Sequence, residues 1–98
     1  MPPTTSLKAT LSRELDRLLN ARYPKTICPS EVARKVDAAT LQASGLSDWR
    51  ELMPAIRDLL WEMRDNGEVQ ILQRGDVISD DVAVEDVRGP IRARKSSD

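Results

Sequence analysis

The sequence contains no histidine, and this absence limits the chemistry that the chain can perform. Histidine is the most common general acid or base near neutral pH and a frequent metal ligand. The single cysteine, Cys28, has no partner for an internal disulfide, and the scattered acidic residues lack the spacing of a zinc site. No glycine-rich phosphate loop is present. We therefore expect a protein without enzymatic activity, cofactor or bound metal.

Aromatic residues and long apolar runs are also scarce. Aromatics make up 3% of the sequence and Phe is absent, so the core is expected to consist of Leu, Ile, Val and Ala. No run approaches the roughly 18 apolar residues that a bilayer requires, and the first residues lack the features of a signal peptide. Because a lone cysteine fits a reducing compartment, the sequence predicts a cytoplasmic protein.

Charge is distributed unevenly along the 98 residues, although the net charge is only −1. Residues 1–35 carry 7 basic and 3 acidic side chains, residues 36–86 carry 4 and 12, and residues 87–98 carry 4 and 1. Nucleic-acid-binding domains usually have a clear basic excess, which this chain lacks. The basic ends nevertheless permit a local basic face, because attraction depends on where charges lie.

Apolar periodicity predicts three helices. The first covers residues 7–22, begins after a cap at Thr5 or Ser6, and ends at Pro24. The second follows an extended Thr26–Ile27 piece and starts at Pro29, with Cys28 as the cap. Its capping box uses the carboxylate of Glu31, and residues 37–47 form a loop with room for one short turn.

The third predicted helix covers residues 48–66. Asp48 caps it, Pro54 is expected to kink or split it, and Asn66–Gly67 ends it. Its apolar face consists of Trp49, Leu52, Met53, Ile56, Leu59, Leu60 and Met63.

Strand signals follow the third helix. Residues 68–73 alternate between polar and apolar side chains and include β-branched residues, which predicts a strand. Arg74–Gly75–Asp76 is predicted to be a turn, and residues 77–78 a second strand. Residues 88–94 read as a last extended segment against this hairpin. The pattern predicts a mainly helical α+β fold of winged helix-turn-helix type, with a domain over residues 7–94, a flexible N-terminus over 1–6 and a disordered tail over 95–98.

Three segments resemble a bacterial family of small winged-helix domains known as a domain of unknown function. They are Lys-Thr-Ile-Cys-Pro-Ser-Glu-Val-Ala-Arg at 25–34, Asp-Trp-Arg-Glu-Leu-Met-Pro-Ala-Ile-Arg at 48–57, and Arg-Gly-Pro-Ile-Arg at 88–92. The resemblance covers residues 11–94 and implies the fold without implying an activity. The chain departs from it in the long segment 37–47, where a helix-turn-helix usually has a turn of about 3–4 residues.

Arginines carry the functional predictions for the third helix. Arg50, Arg57 and Arg64 recur every seven residues and define one stripe, beside a parallel acidic stripe of Glu51, Asp58 and Asp65. One interpretation places Arg50 and Arg57 in a DNA groove. The other is a solvated surface of mixed charge.

A second basic cluster lies near the C-terminus and consists of Arg88, Arg92, Arg94 and Lys95. On a strand Arg92 and Arg94 point to the same side, where they would hold phosphates. The alternative is internal pairing with Asp80, Asp81, Glu85 and Asp86. Arg74 at the hairpin tip is a further candidate for phosphate contact, with a charge that serves only solubility as its alternative.

The two tryptophans receive different predictions. Trp49 is expected in the core, whereas Trp61 is expected to be half exposed and to anchor a protein contact. The sequence thus predicts a small DNA-binding module, a transcriptional regulator, with Arg50, Arg57, Arg74, Arg92 and Arg94 as contacts to double-stranded DNA. The alternative is a protein–protein interaction module that binds no nucleic acid.

Overall fold

The computed structural model describes residues 6–96, and its longest helix is the first one. Helix α1, Ser6–Arg22, has a stripe of leucines along one face, and Pro24 follows its end. Leu11, Leu15, Leu18 and Leu19 of this stripe are buried and Leu7 is partly buried. Residues 1–5 and 97–98 lie outside the described part of the chain. The predictions for them were a cap at Thr5, flexibility at 1–5 and disorder at 97–98. Ser6 belongs to the helix.

Helix α2, Pro29–Ala33, starts at the predicted proline. Proline is tolerated there because the first amides of a helix have no intrahelical partner. The Glu31 carboxylate accepts a hydrogen bond from the backbone N–H of Cys28 at 2.9 Å, as the capping box predicts. Val32, Ala33 and Val36 are buried against α1 and the long helix that follows.

Residues 37–47 differ from the predicted loop, because they contain helix α3, Ala38–Ala43. The Asp37 carboxylate caps this helix by accepting the backbone N–H of Thr40 at 2.8 Å. None of the residues of α3 is buried, so the helix leaves no apolar periodicity in the sequence.

The predicted third helix is split into two pieces. Trp49–Leu52 forms a 3₁₀ helix, and α4, Met53–Asp65, continues from it with Pro54 near its start. Asp48 caps the 3₁₀ helix by accepting the Arg50 backbone N–H at 2.8 Å. Proline has no N–H to donate, so the helix divides at the predicted place.

Three antiparallel strands complete the domain. They are β1, Val69–Gln73, β2, Asp76–Val77, and β3, Arg92–Lys95, in the order β2-β1-β3. Ile27 extends this sheet beyond β3 through paired backbone hydrogen bonds with Ala93 at 2.7 and 3.0 Å. Lys95, predicted to begin a disordered tail, is the last residue of β3.

The turn between β1 and β2 consists of Arg74 and Gly75, with φ values of 54° and 87°. Two positive φ angles are typical of the tight turns that match the twist of a hairpin. Residues 74–91 then connect β1 to β3 and include β2 and a short 3₁₀ helix, Val84–Asp86. This connection packs against α4 and positions the candidate site.

Candidate functional site

Two arginines of α4 point into the domain rather than away from it. The Arg57 guanidinium donates to the carbonyls of Val87 and Gly89 at 2.9 and 3.1 Å. Arg64, only 8% exposed, donates to the carbonyls of Val82 and Ser79 at 2.8 and 3.4 Å. These bonds hold the 79–89 segment on α4, so the structure does not place Arg57 where the DNA-groove interpretation requires it.

Trp61 reinforces the same attachment. It is 6% exposed, and its indole N–H donates to the Val82 carbonyl at 2.9 Å while the Arg64 guanidinium lies 5.3 Å from the ring centre. The predicted half exposure of Trp61 is therefore wrong. The side chain is covered because the 79–89 segment folds over it, a contact between residues 21 apart that α4 periodicity alone does not reveal.

Arg50 lies at the surface at the start of the same helical region. Its guanidinium and that of Arg34 lie 4.6 and 4.8 Å from the centre of the Trp49 ring, and Arg50 also pairs with Asp48 at 3.3 Å. Trp49 is partly buried and contacts the core at its edge, which is less burial than predicted. Stacking on the ring fixes both cations near the N-terminal end of α4.

The solvent face of α4 is acidic. The charged residues exposed between Met53 and Asp65 are Asp58, Glu62 and Asp65, with Glu51 exposed just before them. Of the predicted arginine stripe, Arg57 turns to the 79–89 segment and Arg64 pairs with Asp65 at 3.0 Å. Lys8 of α1 lies 3.6 Å from Glu62, and Asp58 and Glu51 form none of the described salt bridges. A phosphate backbone laid along this face would be repelled.

An arginine-lined cleft lies instead at the end of the sheet that contains the hairpin turn. Its cavity volume is about 410 Å³, within the usual range for ligand pockets. The lining residues include three arginines and no carboxylate, and they are Thr26, Leu72, Gln73, Arg74, Gly75, Arg88, Gly89, Pro90 and Arg92. We call this feature the arginine cleft.

Arg92 is the fixed cation of the arginine cleft. Its Nε donates to the Thr26 hydroxyl at 2.7 Å and its Nη2 to the Thr26 carbonyl at 3.3 Å. A guanidinium has five N–H donors, so most of them stay open after these two bonds. The side chain is therefore oriented in advance for an anion.

Arg74 and Arg88 are the other two cations of the arginine cleft, and all three arginines are exposed. Within residues 6–96 no salt bridge connects Arg74 or Arg88 to a carboxylate. The wall that carries Arg88 is held from behind, because Gln73 Nε2 donates to the Arg88 carbonyl at 2.6 Å and Arg57 holds Gly89. The alternative of pairing between the C-terminal arginines and the nearby acids is likewise not seen among the described salt bridges.

Arg94 is the least available of the predicted contacts on β3. It is partly buried, and its Nε donates to the Gln70 side chain at 2.7 Å. Arg88 and Thr26 belong to the cleft although the sequence did not mark them as site residues. The Arg-Gly-Pro motif was the available signal, since it predicted a turn that fixes the start of the last strand.

Glu31 lies on the side of the arginine cleft nearest to Arg92. The Cys28 backbone N–H lowers the pKa of this carboxyl below its usual range, and Arg22, which donates at 2.7 Å, and Arg92 contribute further lowering. Cys28 itself is half-buried, with its sulfur 3.0 Å from the Ser30 hydroxyl. Glu31 is therefore a fully charged partner for the helix cap at neutral pH, beside the cleft.

Other types of site are not evident in the described part of the chain. Residues 6–96 hold no group of three cysteine, aspartate or glutamate side chains placed to bind a metal ion. In the same range, no helix has both the length and the apolar character needed to cross a bilayer.

The chain thus forms a small α+β domain with an arginine-lined cleft. The chain belongs to the family described as Protein of unknown function (DUF3253), whose model matches residues 8–96. No curated protein matches the sequence at a significant level.

Proposed function

We propose that this chain is a non-catalytic winged-helix domain that binds nucleic acid by holding backbone phosphates at the arginine cleft. Double-stranded DNA is the proposed target, and a small transcriptional regulator is the proposed role. One observation carries the proposal: in a chain of net charge −1, three arginines line one cleft without a carboxylate among the lining residues.

The order of elements supports the winged-helix part of the proposal. An extended residue between α1 and α2, Ile27, bridges to Ala93 of the last strand, and that strand pairs with the strand after the long helix. A winged helix has the same order of helix, strand, two helices and two strands. Residues 74–91 then correspond to the wing, and α3 occupies the place of the usual short turn.

The distribution of charge supports phosphate contact by the wing rather than insertion of α4 into a groove. Asp58 is exposed on α4 and forms none of the described salt bridges, so it would repel a phosphate placed against this helix. Arg74 and Arg88 lie on the wing and are open to solvent. Arg50, on its Trp49 stack, would be a secondary contact at the start of α4.

The strength of this interaction follows from counterion release. Three arginine–phosphate contacts on duplex DNA give a slope of about −2.7 for the logarithm of the binding constant against the logarithm of salt. Affinity would therefore fall about fortyfold between roughly 50 and 200 mM salt. Contacts that carry no base readout predict weak sequence preference.

Fluorescence anisotropy with a random-sequence duplex at these two salt concentrations tests the proposal. The variant Arg74→Asn/Arg88→Ala/Arg92→Ala removes the cleft cations, and asparagine is chosen at position 74 because it tolerates the positive φ. The variant Lys8→Ala/Arg13→Ala/Arg17→Ala removes the same charge from the exposed face of α1. We expect binding to be lost in the first variant and retained in the second. Equal losses would reject the cleft as the site, and no wild-type binding at low salt would reject nucleic-acid binding.

Protein interaction is a second candidate function, favoured by the acidic face of α4. A shallow groove of about 260 Å³ lies between α1 and α4 and is lined by Leu7, Lys8, Leu11, Ala55, Asp58, Leu59 and Glu62. Lys8 pairs with Glu62 at 3.6 Å, and the charge of Asp58 is left for a partner. This surface fits a basic amphipathic segment of a partner. Charge reversal by Asp58→Lys/Glu62→Lys would release such a partner in co-purification, and retention of the partner would reject this surface.

A further inference from the structure

The arginine cleft has a chemical character that simple phosphate contact does not use. Its wall and floor include Leu72, Pro90 and two glycines, so apolar surface lies beside the three guanidinium groups. The glycines contribute no side chain, and a Cβ built at Gly75 would meet nothing within 4 Å. A flat apolar group therefore has room next to the cations.

Phosphates on a duplex surface would leave this apolar part empty. A continuous duplex keeps its bases stacked inside, so a site that contacts only its backbone needs charge but no cavity. The volume of about 410 Å³ instead suits a small molecule that has one apolar ring and one anionic group.

We propose that the arginine cleft binds one unpaired nucleotide, with its base against the apolar floor and its phosphate on the guanidinium groups. The nucleotide is either free or an unpaired residue of a strand. This inference rests on the proposed phosphate-binding role of the same arginines, and it adds the chemistry of the occupant.

The two halves of the cleft are held in a fixed relation to each other. Arg92 is anchored to Thr26 at one side, by the bond from its Nε at 2.7 Å. The opposite wall is fixed by Gln73, which donates to the Arg88 carbonyl at 2.6 Å, and by Arg57, which donates to Gly89 at 3.1 Å. A preformed site loses little entropy when it binds, so a ligand as small as a mononucleotide can be held.

Competition against a fluorescently labelled eight-residue oligothymidylate at low salt tests the inference on the full chain. The competitors are thymidine 5′-monophosphate, thymidine and inorganic phosphate. We expect the monophosphate to compete at about tenfold lower concentration than inorganic phosphate, because burial of apolar base surface against Leu72 and Pro90 adds a contribution that phosphate alone lacks. Thymidine, which lacks the phosphate, is expected to compete least.

Two substitutions locate the bound base. Pro90→Gln replaces the apolar ring with a longer polar side chain without removing a charge, and it should weaken monophosphate binding about tenfold by loss of the apolar base contact. Ala9→Gln, which adds the same side chain on the exposed face of α1, should leave it unchanged. Equal affinities of the two variants would overturn the inference, as would equal competition by monophosphate and phosphate in the wild-type chain.

The outcomes for the two proposals are distinguishable. If duplex DNA binds and thymidine monophosphate does not compete, the nucleotide inference fails and the phosphate-binding function stands. If the monophosphate binds directly but neither the oligonucleotide nor the duplex does, the inference holds for free nucleotides and the nucleic-acid function fails. If none of these ligands binds, both proposals fail.

Discussion

The arginines of α4 and those of the arginine cleft are the same residue type in opposite roles. Arg57 and Arg64 donate to backbone carbonyls of the 79–89 segment, and Arg64 is 8% exposed. Arg88 lies in that segment and Arg74 in the β1–β2 turn, and both side chains remain exposed. The α4 pair therefore holds in place the segment that carries Arg88.

The comparison also explains why an acidic chain can present a basic site. Arg57 donates to backbone carbonyls rather than to the acids of α4, and no carboxylate is among the lining residues of the cleft. The cleft arginines therefore form a local positive region in a chain of net charge −1. Attraction of an anion depends on such a local region and not on the net charge of the chain.

The largest expected effect comes from removing the buried cation. Arg64→Ala leaves the Val82 and Ser79 carbonyls without their charged donor, at a cost of about 3 kcal/mol. For a domain of this size that loss lowers Tm by about 15 °C. Thermal unfolding measures it, with Asp58→Ala as the control because Asp58 is exposed on the same helix and makes none of the described contacts with Arg64. Equal Tm values for the two variants would contradict the structural role of Arg64.

Arg57→Ala should affect both regions, with a smaller loss of stability. The substitution removes two charge-assisted hydrogen bonds from a partly exposed position and should cost about 1.5 kcal/mol. It also loosens the wall that carries Arg88, so nucleic-acid affinity should fall while the salt slope stays the same. Urea unfolding and anisotropy titrations measure the two effects. A reduced salt slope would mean that Arg57 contacts a phosphate itself.

Arg88→Ala should change nucleic-acid binding and leave stability nearly unchanged. The side chain is exposed, so stability should change by less than about 0.5 kcal/mol. The slope of the logarithm of binding against the logarithm of salt should become shallower by about 1, because one phosphate contact is lost. Arg13→Ala is the control of equal charge on α1, and the same slope change in both variants would contradict a specific role for Arg88.

The smallest expected effect is on the pH dependence of stability. The pKa of Glu31 is lowered in the folded protein, mainly by the hydrogen bond from the Cys28 N–H. The contribution of Glu31 to the free energy of unfolding is therefore complete above the unfolded pKa of about 4.3 and is lost as pH falls through the lower folded pKa. Wild-type stability should therefore decline in this acidic window more than that of Glu31→Gln. Urea unfolding between about pH 6 and pH 3 measures the difference, with the exposed Glu85→Gln as control. Parallel profiles of wild type and Glu31→Gln would contradict the assignment.

Local signals predicted most of the framework. The leucine stripe of α1, the capping box at Cys28 and Glu31, and the division at Pro54 depend on residues within a few positions of each other. Residues 37–47 were predicted as a loop with room for one short turn, because helix α3 has no fully buried residue and shows no apolar period. Helices and strands could therefore be predicted where their burial pattern and caps involve residues close together in the sequence.

The candidate site was predicted only in part, because it depends on distant contacts. Arg74 and Arg92 were among the predicted phosphate contacts, and the structure brings both to the cleft. The inward turn of Arg57 and the burial of Trp61 depend on carbonyls 30 and 21 positions away. A helical stripe predicts which side chains share a face but not which segment will cover that face.

Nuclear magnetic resonance of the arginine side-chain N–H groups, recorded while duplex DNA is added, tests the central claim most directly. The account predicts that the Nε signals of Arg74, Arg88 and Arg92 shift on binding. The signals of Arg57 and Arg64 should stay in place and exchange slowly with solvent in the free protein. Shifts confined to Arg50 and Arg57, with the cleft arginines unchanged, would contradict the account and return the binding surface to α4.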